Sequence, residues 1–140
     1  MRKIFSGVFF IMGLIFVTSC NSVKAQTEEI NNKIIGRWEL CEKDGKRSEG
    51  SNVRQKVYTK KSYVVLEVDK VRNTSYLDFI GTITATSKDK MTETVIYSDA
   101  KIKHMLSQSF NFRYRVEGEY LYLEGIDGNP YNEVWIRTSE

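Results

Sequence analysis

Histidine is almost missing from this 140-residue chain: His104 is the only one. A zinc site built on histidines needs several, and a Ser-His-Asp relay needs a nucleophile in a shaped turn such as Gly-x-Ser-x-Gly, which is also lacking. His104 beside Met105 has the makings of a haem-ligand pair, yet it lies in a Lys-rich loop segment and reads as a surface histidine. There is no glycine-rich phosphate loop. The stretch 125–130, Gly-Ile-Asp-Gly-Asn-Pro, has too few liganding oxygens in register for a twelve-residue calcium loop and reads as a hairpin turn. No metal and no cofactor are expected. Cysteine is scarce too. Cys41, between Leu40 and Glu42, has no identifiable base to activate it and reads as a small strand residue. An excess of one charge is the last absence. Residues 1–19 carry Arg2 and Lys3 and no acid, so removing them leaves 19 bases against 18 acids. That balance offers no field or basic stripe for nucleic acid.

What is present begins with an address. Arg2 and Lys3 precede an apolar core at 4–17, too short for a membrane-spanning helix of ~20 residues and typical of an export signal. Val17-Thr18-Ser19-Cys20 fits the lipobox and resembles the bacterial lipoprotein pathway, in which the cysteine receives diacylglycerol. Ordinary cleavage after Val23-Lys24-Ala25, freeing a chain that starts at Gln26, is the alternative. The expected organisation is a signal peptide at 1–19, a lipidated N-terminus and tether at 20–33, and one domain at 34–140. With Cys20 lipidated, Cys41 has no partner for an internal disulfide.

The domain itself alternates with period 2 between turn residues. Strands are expected at 36–41, 53–58, 63–68, 75–86, 91–97, 109–116, 120–124 and 131–137, with a short helical turn within 29–35 and a helical excursion or loop at 100–107. In the sixth, Phe110, Phe112, Tyr114 and Val116 share one face and Arg113 takes the other. Eight strands joined mostly by short loops exclude a parallel βαβ arrangement and leave two solutions, a closed up-and-down barrel or a two-sheet sandwich. Closure removes exposed edges, and an eight-stranded barrel can hold one small ligand.

Gly36-Arg37-Trp38 at the start and Trp135-Ile136-Arg137 at the end resemble the bracket of lipocalin-like domains. The ordered set of Lys61 to Val65, Gly81-Thr82-Ile83, Thr92 to Tyr97 and Glu133 to Arg137 is similar to lipocalin-like lipoproteins of Bacteroidetes. The resemblance covers residues 34–138 and implies an all-β fold, an eight-stranded antiparallel up-and-down barrel. It implies that Gly36, Trp38, Trp135 and Arg137 close the fold, the Trp38 indole lying across one end with the Arg137 guanidinium over it. It also implies an outer-membrane lipoprotein of a Gram-negative cell envelope, facing the periplasm or the surface. The chain departs from secreted transport lipocalins in its length, its few cysteines and its lack of a long C-terminal helix.

Of 17 aromatic residues, Phe5, Phe9, Phe10 and Phe16 belong to the leader, leaving 13 for a small core. Inward tyrosine hydroxyls must then find partners or face a cavity. Tyr63, Tyr97, Arg113 and Tyr122 are the expected ligand-binding lining. The expected function is non-catalytic binding of a small hydrophobic or amphipathic molecule in the lumen, with the lipid bilayer as a second partner through the anchor. The alternatives are a filled barrel that binds a protein through its outer surface and a carbohydrate-active enzyme using paired carboxylates. Glu67, Asp69, Asp78, Glu93 and Glu124 lie in or beside strands, where cross-strand salt bridges to Lys56, Arg113 or Arg115 are the simpler account. A lumen of ~300 Å³ or more lined by Tyr and Arg favours a ligand. A filled interior favours a partner protein, and paired buried carboxylates favour an enzyme.

Overall fold

Eight strands follow one another around a closed antiparallel barrel in the computed structural model, which describes residues 30–139. The leader, Cys20, Gln26 and most of the tether lie outside the described residues. The strands are β1 (Gly36–Leu40), β2 (Asn52–Tyr58), β3 (Ser62–Asp69), β4 (Thr74–Ser87), β5 (Lys90–Ser98), β6 (Ser109–Glu117), β7 (Tyr120–Gly125) and β8 (Asn132–Arg137). Each pairs with its neighbours in sequence, and β1 closes against β8 through Trp38↔Arg137, Glu39↔Ile136 and Leu40↔Trp135. This is the up-and-down order of a lipocalin-like fold. Each element falls within a residue or two of where the alternation places it, and the helical excursion is a 3-10 segment at Ala100–Met105.

Hairpin connections alternate between the two ends, and only one end is sealed. There, a 3-10 turn at Asn32–Ile34 enters ahead of β1 and buries Ile34 completely. Trp38, fully buried, donates its indole N–H to the Ile34 carbonyl at 2.7 Å. The Arg137 guanidinium lies 4.1 Å from the centre of the indole ring. Its two terminal nitrogens donate to the carbonyls of Ile35 and Lys33. The expected bracket of first and last strand is therefore present, and the Trp38 indole N–H and both terminal nitrogens of Arg137 have backbone partners. Gly36 is what permits it. Its φ is +131°, a region L side chains rarely adopt, and a Cβ there would sit 2.7 Å from the guanidinium.

Inside the barrel the residues alternate as strands require: Phe112 and Tyr114 are buried, while Arg113 between them is exposed. Met91, Leu121 and Val65 are buried in the same core cluster as Trp38. Three irregularities interrupt the ladders, at Val65/Leu66 between β3 and β4 and at Ile80/Gly81 and Ala85/Ser87 between β4 and β5. A bulge adds a residue to one strand and turns the side chains beyond it. The second one matters for the site.

Candidate functional site

Lys56 is the cross-strand neighbour of Trp38, so a polar group begins where the plug ends. Lys56 and Tyr58 share the inward face of β2, Tyr63 opens β3, Glu93 lies on β5 between buried Met91 and Val95, and Glu133 lies two residues before buried Trp135 on β8. Strand alternation thus aims three charges into the lumen from three strands. Lys56 Nζ donates to both oxygens of Glu93, at 3.3 and 3.2 Å, and to Glu133 Oε2 at 3.3 Å. Tyr58 also donates to Glu93 Oε1 through a short hydrogen bond, and the Trp135 indole N–H donates to Glu133 Oε2 at 2.9 Å. The Lys56 ammonium stands 4.8 Å from the Trp135 ring centre and 5.5 Å from those of Tyr58 and Tyr63, a distance at which ring quadrupoles attract a cation.

Titration follows from burial and charge together. Burial pushes the Lys56 ammonium down, but the carboxylates of Glu133 and Glu93 outweigh it and hold it above the ordinary lysine value. Burial raises Glu93 above the usual carboxylate range against the opposing pull of Lys56. Burial, then the charge of Glu93, raises Tyr58 well above the usual phenol value, and Tyr63 moves the same way.

Above this group lies a cavity of about 230 Å³. Its apolar wall is Tyr63, Phe79, Phe110, Phe112 and Tyr131, and its floor is Lys56, Glu93 and Glu133. Ile102, His104 and Met105 of the 3-10 segment stand over the mouth beside Arg54, which pairs with Asp78 at 3.1 Å. Tyr63 is fully buried, yet its hydroxyl has no hydrogen-bond partner. Its ring is placed by Gly81, its partner across β3 and β4: a Cβ on Gly81 would lie 2.3 Å from that ring. The cavity falls short of the ~300 Å³ expected of a ligand lumen, and its size suits a molecule below drug size. Larger depressions of about 660 and 590 Å³ lie beside the turn after β1. The larger of these also touches Glu133, but the smaller cavity is the better site because it is lined by Lys56 and Glu93 as well and by Tyr63, whose hydroxyl is unsatisfied.

Of the four residues expected to line a pocket, Tyr63 lines this cavity, Tyr122 borders the 660 Å³ depression instead, and Arg113 and Tyr97 line neither. Arg113 points outward between Phe112 and Tyr114 and pairs with Glu124 and Asp89. Tyr122 points outward between Leu121 and Leu123 and carries the Arg115 guanidinium 4.0 Å above its ring. Tyr97 shares the sequence parity of Met91, Glu93 and Val95, but the bulge pairs Val95 with Gly81 and Tyr97 with Ile80, and its side chain is half exposed. Trp135, expected to close the fold, does pair with β1 but lies beneath Lys56 rather than at the sealed end. Cys41 is half-buried, and burial pushes its thiol up, the opposite of activation. Among the described residues no three His, Cys, Asp or Glu side chains converge as metal ligands, and no helix is long and apolar enough to cross a membrane.

No protein-family model matches the chain, and no curated protein matches it. The geometry of the lumen therefore carries the functional reading.

Proposed function

We propose that the protein binds a small amphipathic molecule in the open half of its barrel and performs no chemistry on it. The observation that carries this reading is the meeting, in one cavity, of an aromatic wall with a buried, unpartnered tyrosine hydroxyl. A buried polar atom without a partner costs about 1–3 kcal/mol. A ligand that donates to or accepts from Tyr63 removes that cost on binding, while Phe79, Phe110 and Phe112 take its apolar part. Native mass spectrometry of protein purified gently from its own cells tests the reading: a bound small molecule is expected, and a bare chain from every preparation would oppose it.

The paired carboxylates Glu93 and Glu133 favour an enzyme as the second reading. Against it, both oxygens of Glu93 already accept hydrogen bonds from Lys56 and Tyr58, so the more buried acid has no proton aimed at the cavity. A partner protein is the alternative for the outer surface, where Tyr76, Leu77, Ile96 and Tyr97 are exposed, but among the described residues that surface offers no buried, unpartnered polar group comparable to Tyr63. The export signal and lipobox support delivery to the cell envelope with Cys20 diacylated, so that the lumen works at a membrane surface. The mass of the mature N-terminus tests this part, and a chain beginning at Gln26 would oppose it.

A further inference from the structure

Charge is unevenly matched around the cavity. At the mouth Arg54 is balanced by Asp78. Deeper, Lys56 bridges two carboxylates, Glu93 and Glu133. Both oxygens of Glu93 already accept hydrogen bonds, two from Lys56 and one from Tyr58. Glu133 is less fully used. Its Oε2 accepts from Lys56 and from Trp135, whereas its Oε1 accepts no hydrogen bond from the described residues. The side chain keeps 26% exposure and borders the cavity. Tyr63, whose hydroxyl is buried and unpartnered, lines the same cavity.

One carboxylate in excess of the cations, only partly open to water, is a place where a further cation is favoured. An ammonium supplies both missing elements. Its N–H groups reach a free carboxylate oxygen and a phenol oxygen, and its charge restores balance. The lumen already holds one ammonium in this manner, since Lys56 Nζ sits among Trp135, Tyr58 and Tyr63 with carboxylates on its N–H groups. Lys56 directs its own donors at Glu93 and Glu133. The volume equals that of roughly seven or eight waters at ~30 Å³ each, enough for a single ring with a short arm.

We propose that the cavity is a site for a small organic ammonium ion, a primary amine with an apolar body, gripped between Glu133 Oε1 and the Tyr63 hydroxyl. The inference rests on the lumen-binding reading above and adds the charge of the ligand. An anion meets Glu133 and is repelled. A neutral analogue fills the aromatic wall but leaves the carboxylate without a partner.

Titration calorimetry near pH 7 with benzylamine, benzyl alcohol and benzoate, three probes of one ring and three charges, tests it on the purified protein. Benzylamine is expected to bind about tenfold more tightly than benzyl alcohol, with benzoate weakest, because a charge-assisted hydrogen bond contributes about 1.5–3 kcal/mol. Glu133→Gln keeps an oxygen for Trp135 and Lys56 and is expected to lower benzylamine affinity about tenfold while changing benzyl alcohol little. Should that variant fold poorly, Tyr63→Phe keeps the ring, removes a hydroxyl with no internal partner, and is expected to lower benzylamine affinity several-fold with the melting midpoint unchanged or raised. Equal binding of amine and alcohol, or a preference for benzoate, overturns the ammonium assignment and leaves lumen binding standing. Failure of all three probes to bind overturns both.

Discussion

The two halves of this barrel treat buried polar groups in opposite ways. At the sealed end the indole N–H of Trp38 and the two terminal nitrogens of Arg137 donate to backbone carbonyls of the segment that enters β1. In the open half an ammonium is shared by two carboxylates, one carboxylate oxygen accepts no hydrogen bond from the described residues, and a buried hydroxyl has no partner. A closed polar set fixes a structure; an unfinished one leaves a place for something else. The difference separates what holds the barrel shut from what it is shut around.

Mutation sharpens the contrast, and Trp38→Ala should cost most. Removing a fully buried indole and its hydrogen bond is expected to lower stability by about 3–5 kcal/mol, read from urea midpoints. A loss under about 1 kcal/mol would show that the sealed end is not a packed plug. Lys56→Met is next, at about 3 kcal/mol, because it strands two carboxylates in the lumen. That loss should shrink as pH falls, since protonation of Glu93, already raised by burial, relieves the repulsion.

Alkaline titration compares the halves without mutation. Lys56, Tyr58 and Tyr63 all have folded values above their unfolded ones. The unfolded chain therefore loses these protons first. Their contribution is fully present below about pH 10 and is lost as pH rises through that value and beyond. Three such groups give a slope of up to about 4 kcal/mol per pH unit, measurable as a falling urea midpoint between about pH 9.5 and 11. Lys56→Met should flatten the slope, whereas Arg137→Ala, at the sealed end, should leave it unchanged.

The remaining effects are smaller. Gly81→Ala should cost roughly 1–3 kcal/mol, because its methyl would meet the Tyr63 ring and the Thr94 carbonyl. Tyr63→Phe should be neutral or stabilising by up to about 1 kcal/mol, since it deletes an unpaired hydroxyl. A clear loss in that variant would mean the hydroxyl has a partner in the free protein.

How much of this was legible in the sequence depends on whether local alternation or a three-dimensional register decides the matter. Strand positions, closure of the first strand on the last, and Arg137 over Trp38 follow from period-2 patterning and the Gly-x-Trp bracket. The charged cluster was half legible. Lys56 two residues before Tyr58, Glu93 between Met91 and Val95, and Glu133 two residues before Trp135 all sit on the apolar parity of their strands, which is the signal of a charge aimed inward. Lys56 and Glu93 stood among the cross-strand pairs considered, and Glu133 only within the terminal motif. The same parity places Arg113 and Tyr122 outside. Tyr97 is a different matter, because its outward turn comes from the bulge beside Gly81, where pairing across strands overrides alternation along one. The missing partner of the Tyr63 hydroxyl depends on seven other strands, and no local pattern encodes it.

The contrast between a satisfied end and an unfinished one is tested most directly by a residue-resolved NMR titration of the protein with benzylamine. The account predicts saturable shifts at Tyr63, Phe110, Phe112 and Glu133 with the Trp38 indole N–H unmoved. Shifts at the sealed end, or at the outward Arg115 and Tyr122 with the lumen silent, would contradict it.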